Sequence, residues 1–502
     1  MSEWGGGYVT DVGYLLSYHP EQAPGHLALA ALISGVATEI IAEPEGRSYL
    51  ELGSGLGFAA SLIAASNPSW RVTAIDFNPE HIAAARAFAA EAGVGNVTFL
   101  EADLTTLADS PEAALVPEAD VVSMHGLWSW VSEQTRSGIV KLLRSKVRAG
   151  GLVHLSYNAL PAWQGAIGLQ RLVREAGRRL AGRSDRQAAA GLAVVRALVA
   201  AGARHVGTDP FSKQLLERLS SAAPSYLAHE FMNASWRPVF HADVATALGE
   251  ARLSYVGSAR LYENFPDLVL NEGQRAEAAR FDDPLLFELI KDVSGGPALR
   301  HDVYVRGARR LSENERNQAL SAVTLVQVAP PGRFIYELEV PAGKATLKRE
   351  SYEPMVQALA ETPRTVGALH ALPSLAGSTA NAPELVAMLV GSGQAMAALR
   401  PGARPLPGLE RFHAAAAKRA SRFETLIRPI ALASHRLGGG LLAPGLELLV
   451  LNRLLVDGAA EPTCWARLIV PDLDDAKAEE LGKEIARILD ERTQIWRLGG
   501  IV

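Results

Sequence analysis

The chain has 502 residues, 48% of them hydrophobic and 21% charged, a length that predicts roughly two to four domains, each large enough to bury a core. The net charge of −5, with no long Lys/Arg run, offers no electrostatic footprint for nucleic acid or for an anionic membrane. The single cysteine, Cys464, excludes an internal disulfide and a Cys-rich zinc site.

The first eleven residues are polar, Gly-rich and free of Lys or Arg, unlike a signal peptide. The apolar stretch 441–456 is shorter than a bilayer span and carries Pro444, Glu447, Asn452 and Arg453. The expectation is a cytoplasmic protein without membrane insertion. Residues 47–52 then read as an apolar strand, 58–66 as a helix stopped before Pro68, and 70–75 as a second strand. A helix over 79–91 has Pro at its first turn and Gly93 after its end. Strands over 97–100, 120–124 and 151–156 complete an alternation that predicts a doubly wound α/β sheet.

From about 162 to 223 the chain turns Ala-, Arg- and Leu-rich, with apolar residues at helical spacing over 168–180 and 187–200. This reads as a helical insertion with more apolar helix than a lone excursion buries, which predicts a two-fold homodimer. Runs 253–258 and 302–306 read as the last two of seven strands in the same sheet. Two short β-like runs, 334–341 and 344–348, lie among helices and suggest a small winged-helix-like module. The remainder from Pro401 reads as mostly helical. The resulting boundaries are 1–160 (ligand-binding core), 161–228 (insertion), 229–310 (rest of the core and a regulatory region), 311–400 (middle module) and 401–502 (C-terminal domain).

The strongest chemical signal is YLELGSGLGFAASLIA, residues 49–64. A strand ends at Glu51, a turn carries Gly53, Ser54, Gly55 and Gly57, and a helix begins at once. Glycines there let the backbone adopt φ > 0 and let a ligand approach closely. The spacing is G-x-G-x-G, not the G-x-G-x-x-G of a dinucleotide site, and no P-loop Lys-Ser/Thr pair follows. The next strand ends in AIDFNP, which sets Asp76 where a carboxylate accepts from both hydroxyls of a ribose, with Phe77 beside it. In FLEADL, Asp103 and Leu104 follow the third strand, positioned for an adenine.

ELGSGLG, AIDFNP, EADL and ADVVSMHGLWSWV together resemble the motifs of class I S-adenosylmethionine-dependent methyltransferases. YVTDVGYLLSYHPEQAPGHL, HGLWSWV, SYNALPAW and YLAHEFMNASWRPVF are similar to the subset carrying a methyltransferase regulatory domain. Rickettsial lysine methyltransferases that modify outer-membrane protein belong to that subset. Trp128 stands where the group commonly has Tyr, and Ala162 where it has Gly. The resemblance implies S-adenosyl-L-methionine as methyl donor, bound by Glu51, the glycine turn, Asp76, Phe77, Asp103, Leu104 and His125. It implies a protein substrate methylated on lysine, such as an outer-membrane or surface protein before export. A small-molecule acceptor (a natural product or sugar) is the alternative, as is a regulatory protein that binds the donor without turnover.

A lysine acceptor has to lose its proton, which a desolvating aromatic pocket favours. Tyr8, Tyr14, Tyr18, Trp128, Trp130 and Trp236 are candidates for its walls, each equally readable as a core aromatic. His125 after the fourth strand is either a structural histidine or a contact of donor and acceptor. Asn158 after the fifth is a candidate to orient the amine. Tyr14, His125, Trp128, Trp130 and Asn158 form the expected catalytic set, and Tyr8, Tyr18, His229 and Trp236 the expected substrate contacts. His229 and Glu230 make a local acid–imidazole pair. The 12 histidines are scattered, with no H-x-x-x-H pair beside a carboxylate, so no metal is expected.

Overall fold

In the computed structural model, which describes residues 5–13, 16–206, 209–375, 381–420, 429–458 and 461–502, the alternating run folds as expected. Helix α1 (Pro24–Ile33) precedes β1 (Ser48–Leu52), α2 (Phe58–Ser66), β2 (Arg71–Asp76), α3 (Pro79–Ala92) and β3 (Val97–Glu101). The series continues with β4 (Ala119–Met124), α4 (Glu133–Lys146) and β5 (Val147–Asn158). Local chemistry marks the helix ends. Asn78 accepts from Glu80 N to cap α3, Pro79 takes its first position, and Gly93 closes it at φ 73. Ser132 caps α4 by accepting from Thr135 N.

With β6 (Leu253–Ser258) and β7 (Leu299–Arg306) the sheet has seven strands in the order β3-β2-β1-β4-β5-β7-β6, and β7 runs antiparallel between β5 and β6. The order reverses between β1 and β4, which opens a crevice at the strands' C-terminal ends. Residues alternate between faces. Tyr49, Val72, Ala74, Val121, Leu152 and Val303 pack towards α1, α2 and α3. Leu50, Leu52, Ile75, Val122, Val153 and Tyr304 pack towards α4.

The strands β5 and β7 extend beyond 151–156 and 302–306, into residues that look too polar for a central sheet. In β7 the reason is a buried charge cluster. Arg300 bonds Asp302 at 3.0 Å, Asp292 at 2.6 Å and Glu288 at 2.7 Å, and the Tyr157 hydroxyl donates to Asp302 at 2.6 Å. Strand-forming sequence is hidden wherever charges pair inside the fold.

The insertion comprises α5 (Ile167–Gly177), α6 (Ser184–Ala200), α7 (Pro210–Arg218) and α8 (Pro224–Phe231). It builds its own core from Leu169, Val173, Leu192, Val195 and Phe231, closed by Val9 and Val12 of the N-terminal segment. Much of the insertion's apolar stripe is covered within one chain, while Ile167, Leu180, Val194 and Leu198 remain exposed.

Beyond the core, Glu337–Val340 and Gly343–Thr346 fall in or beside the two β-like runs and pair as a hairpin. Thr324–Gln327 pairs with Arg364–Thr365 and Ala395–Ala397 in a three-stranded sheet set among helices. The region after Pro401 is mostly helical, as read, with one β element that the reading did not contain. Pro429–Ser434 and Gly439–Pro444 form a second hairpin, short apolar runs that periodicity does not separate from buried helix. Among the described residues, no helix is long and apolar enough to cross a membrane.

Arg300→Met leaves the carboxylates of Glu288, Asp292 and Asp302 facing one another without their common cation. The expected loss in chemical denaturation at neutral pH is about 3–5 kcal/mol. Part of it returns in mild acid as the carboxylates protonate. A loss independent of pH contradicts this account.

Candidate functional site

The turn after β1 holds Gly53, Gly55 and Gly57 at φ 72, 53 and 69, a region that side chains disfavour. At Gly57 a Cβ would also meet Ala85 Cβ and Phe99 Cε1 at 2.5 Å, so helix–sheet packing demands glycine there as well. Gly53 N and Ser54 N donate to Ile75 O at 2.8 and 3.0 Å. Asp76 completes the tie: its Oδ2 accepts from Gly55 N at 2.8 Å, and its Oδ1 accepts from Asn78 N at 2.9 Å.

These residues line a cavity of about 240 Å³ at the reversal of strand order. Glu51, Gly53, Ser54, Gly55, Asp76, Phe77, Asp103, Leu104 and His125 all face it, and Gly57 shapes it from behind. The N-terminal segment covers it through Gly5, Tyr8 and Ser17, with the Tyr8 ring edge-on to Phe77 at 5.7 Å. Two polar atoms of the wall await a ligand: buried Glu51 Oε2 and Ser54 Oγ make no hydrogen bond. Burial pushes the Glu51 carboxyl up to about 8, although Gln22 donates to its other oxygen at 3.2 Å. A cationic amino group fits this wall, because it supplies both a donor and a counter-charge. Asp76 and Asp103 at the far end suit a nucleoside.

A second cavity of about 440 Å³ shares Tyr8, Ser17, His125, Gly126 and Trp130 with the first. Asn158, Trp163, His229 and Glu230 line its remaining depth. Glu230 is half-buried, its open surface being cavity wall, and the surrounding protein pushes its carboxyl up to about 7. Asn158 Nδ2 closes no hydrogen bond of its own, yet it lies near enough to favour the Glu230 anion. His125 stacks on His19 at 3.6 Å between ring centroids, and burial pushes its imidazole well below the ordinary value.

Three expected contacts lie elsewhere. Trp128 is buried in the sheet core on the α4 side, its carbonyl accepting from Arg136 Nε at 2.9 Å. Its indole packs under the loop while Trp130, two residues on, reaches the cavities. Tyr18 is buried as well, its hydroxyl accepting from Gly440 N at 2.9 Å, so it anchors the N-terminal segment. Trp236 sits behind the wall, edge-on to Trp163 at 5.2 Å. Tyr14 lies outside the described residues. Trp163 and Gln22 gained no role from the sequence, and Glu230 entered it only in its local pair with His229. Glu230 carried the one available signal, a carboxylate next to His229 in an otherwise apolar helix.

A family model described as a methyltransferase domain matches residues 50–151, and one described as a predicted methyltransferase regulatory domain matches residues 223–306. A protein of Synechocystis sp. is 30% identical over 378 residues, covering 75% of this chain and 74% of its own length. The chain belongs to the S-adenosylmethionine-dependent methyltransferases that carry a regulatory domain. A protein of Rickettsia prowazekii is 25% identical over 131 residues, 26% of this methyltransferase and 49% of its own chain. In fold, the methyltransferase is similar to PKMT2 from Rickettsia typhi in complex with AdoHcy, with a TM-score of 0.69 at 15% identity. That likeness covers 97% of this chain and 99% of the other. S-adenosylmethionine is the cofactor, and the unpartnered Glu51 and Ser54 atoms suit its amino acid end.

The site makes two measurable demands. Asp76→Ala takes away the acceptor shared by Gly55 N and Asn78 N, and the expected loss of S-adenosylmethionine affinity is ~2–3 kcal/mol by calorimetry. Unchanged affinity in the folded variant removes Asp76 from the site. Glu51, raised from 4.5 to about 8, is protonated in the free protein at neutral pH, and a cationic ligand favours its anion. Cofactor binding therefore releases a proton below about 8, and affinity rises with pH up to that point. Glu51→Gln is expected to abolish the proton release in calorimetry across buffers of different ionisation heat.

Proposed function

We propose that this methyltransferase modifies the side-chain amine of lysine residues in a protein substrate. The observation that carries the reading is the Glu230 carboxyl, raised to about 7, in an aromatic-walled cavity continuous with the cofactor crevice. An acceptor that enters as a cation finds a counter-charge there. The resemblance to the rickettsial lysine methyltransferases supports the same choice.

When bound, S-adenosylmethionine supplies a methyl group on a positively charged sulfur, which a neutral amine displaces in line. The chain's own residues have to bring the amine in, strip its proton and hold it. Tyr8, Trp130 and Trp163 desolvate the ammonium, which weakens its hold on the proton, while burial strengthens that of Glu230. The two proton affinities converge, so Nζ–H passes its proton to a Glu230 carboxylate oxygen. Asn158 lies beside that carboxylate and steadies its anion. The N-terminal segment excludes water over the crevice, so the alignment is kept in a dry site.

Incubation of the full chain with labelled S-adenosylmethionine and cell extract is expected to place label in the protein fraction, on lysine after hydrolysis. Label confined to small molecules overturns the reading. Glu230→Gln is expected to lower turnover by about 100-fold while cofactor affinity holds, since it acts on the acceptor. In the parent enzyme the rate climbs as pH rises through about 7, where Glu230 becomes the anion that accepts the proton. The Gln variant loses that inflection.

A further inference from the structure

We propose that His125, His154 and His301 form a binding site for a divalent transition-metal ion of the zinc class at the inner wall of the cofactor crevice. None of these residues adjoins another in sequence, but the sheet assembles them. His154 lies opposite Ser123 across the β4–β5 pairing, and His301 lies opposite Ser156 across the β5–β7 pairing. His125 is two residues beyond Ser123, so all three imidazoles project from one face.

Their geometry is that of a ligand set. The ring centroids form a triangle with sides of 5.4, 5.4 and 6.3 Å, and one nitrogen from each ring lies within 4.8 Å of the other two. His154 Nε2 and His301 Nδ1 are 3.2 Å apart. Three imidazoles on a tetrahedral ion with bonds of ~2.0–2.1 Å hold their nitrogens about 3.4 Å apart. The cluster therefore needs only a small contraction.

The groups behind the rings match as well. His125 Nδ1 faces Ser156 Oγ at 3.0 Å, and His154 Nδ1 faces Ser123 Oγ at 3.1 Å. A hydroxyl that accepts Nδ1–H fixes the tautomer and leaves the Nε2 lone pair for the ion. Gln22 Nε2 donates to Ser123 Oγ at 3.1 Å, which orients that hydroxyl in turn.

The charged groups facing the cluster are Glu21 and, on the His125 and His301 side, Arg260. Glu21 is largely enclosed, its nearest opposite-sign partners are His26, His19 and His154, and it makes no ion pair with Lys or Arg among the described residues. Nitrogen donors alone select zinc, cobalt, nickel or copper over magnesium or calcium. His125 also lines both cavities, so a fourth position is open to water from that side. Such an ion would clamp the ends of β4, β5 and β7 and hold the His125 ring against the crevice, whatever the acceptor is.

The test is titration of the full-length, chelator-treated protein with cobalt(II) chloride, followed by displacement with zinc chloride. One equivalent is expected to bind and give the intense visible bands of a tetrahedral ion, and zinc is expected to abolish them. His154→Gln and His301→Gln should lose the bands with their circular dichroism retained, while His205→Gln, at an exposed position, keeps them. Absence of one-equivalent binding, or bands that survive in both triad variants, overturns the proposal. If the triad variants do not fold, X-ray absorption on the unaltered zinc-loaded protein decides. Three imidazole nitrogens around the ion support the site, and one or none overturns it.

Discussion

The carboxylate of Asp76 accepts backbone hydrogen bonds from both walls of the crevice, Gly55 N on the turn after β1 and Asn78 N at the start of α3. Each of these amides lies in a segment with no strand partner, and a buried amide left unpaired costs roughly 1–3 kcal/mol. One side chain thus fixes the distance between two elements whose dihedrals alone leave it free. Asn78 passes the constraint on, since its own side chain caps α3 at Glu80 N. The glycine turn then needs no side chains of its own to hold its shape. It can bring bare backbone up to a ligand, which is what three positive-φ glycines within five residues are for.

Burial acts on several carboxyls in and behind the crevice, and the presence or absence of a cation decides the direction. Asp302 is deeper than Glu51, yet it is pulled below the usual carboxylate range because Arg300 and His241 face it. Glu51 and Glu230 have no such partner and rise to about 8 and about 7. Folding raises their proton affinity, so each withdraws stability as pH climbs from the ordinary value towards the raised one. A fold that can supply an Arg300 to three acids leaves these two without one, and both line cavities. The missing cation is accounted for if ligands bring it.

What was legible in the sequence followed from how local each signal is. The glycine turn, Asp76, Phe77 and the strand–helix alternation are encoded within about thirty residues, and they stand where expected. The position of β7 between β5 and β6 was not legible, because pairing order leaves no mark on periodicity. The N-terminal half of β7 was hidden by Arg300 and His301, whose partners come from other segments. Trp128 and Trp130 are chemically alike and two residues apart, yet a single 3-10 turn sends one to the core and the other to the crevice. The triad of His125, His154 and His301 was invisible for the same reason: each comes from a different strand, so spacing along the chain carries no trace of it.

The C-terminal hairpin shows why the fold extends over the whole chain. Its Gly438 and Gly439 carbonyls accept from Asn67 Nδ2 and Ser66 Oγ, which satisfies polar groups at the C-terminal end of α2. Arg400 binds Asn67 Oδ1 at 2.8 Å and Glu45 at 2.6 Å, adding a charged tie ahead of β1. The neighbouring Gly440 N donates to the Tyr18 hydroxyl, one residue from Ser17 in the cavity wall. Helix α2 starts at the glycine turn, so one hairpin supports both the floor of the crevice and one end of the segment covering it. Loosening that hairpin frees Tyr18 and the end of α2 together. The C-terminal region is therefore part of the support of the cofactor site rather than an appendage to it. The fold likeness to PKMT2 accordingly covers 97% of the chain instead of stopping at the end of the sheet.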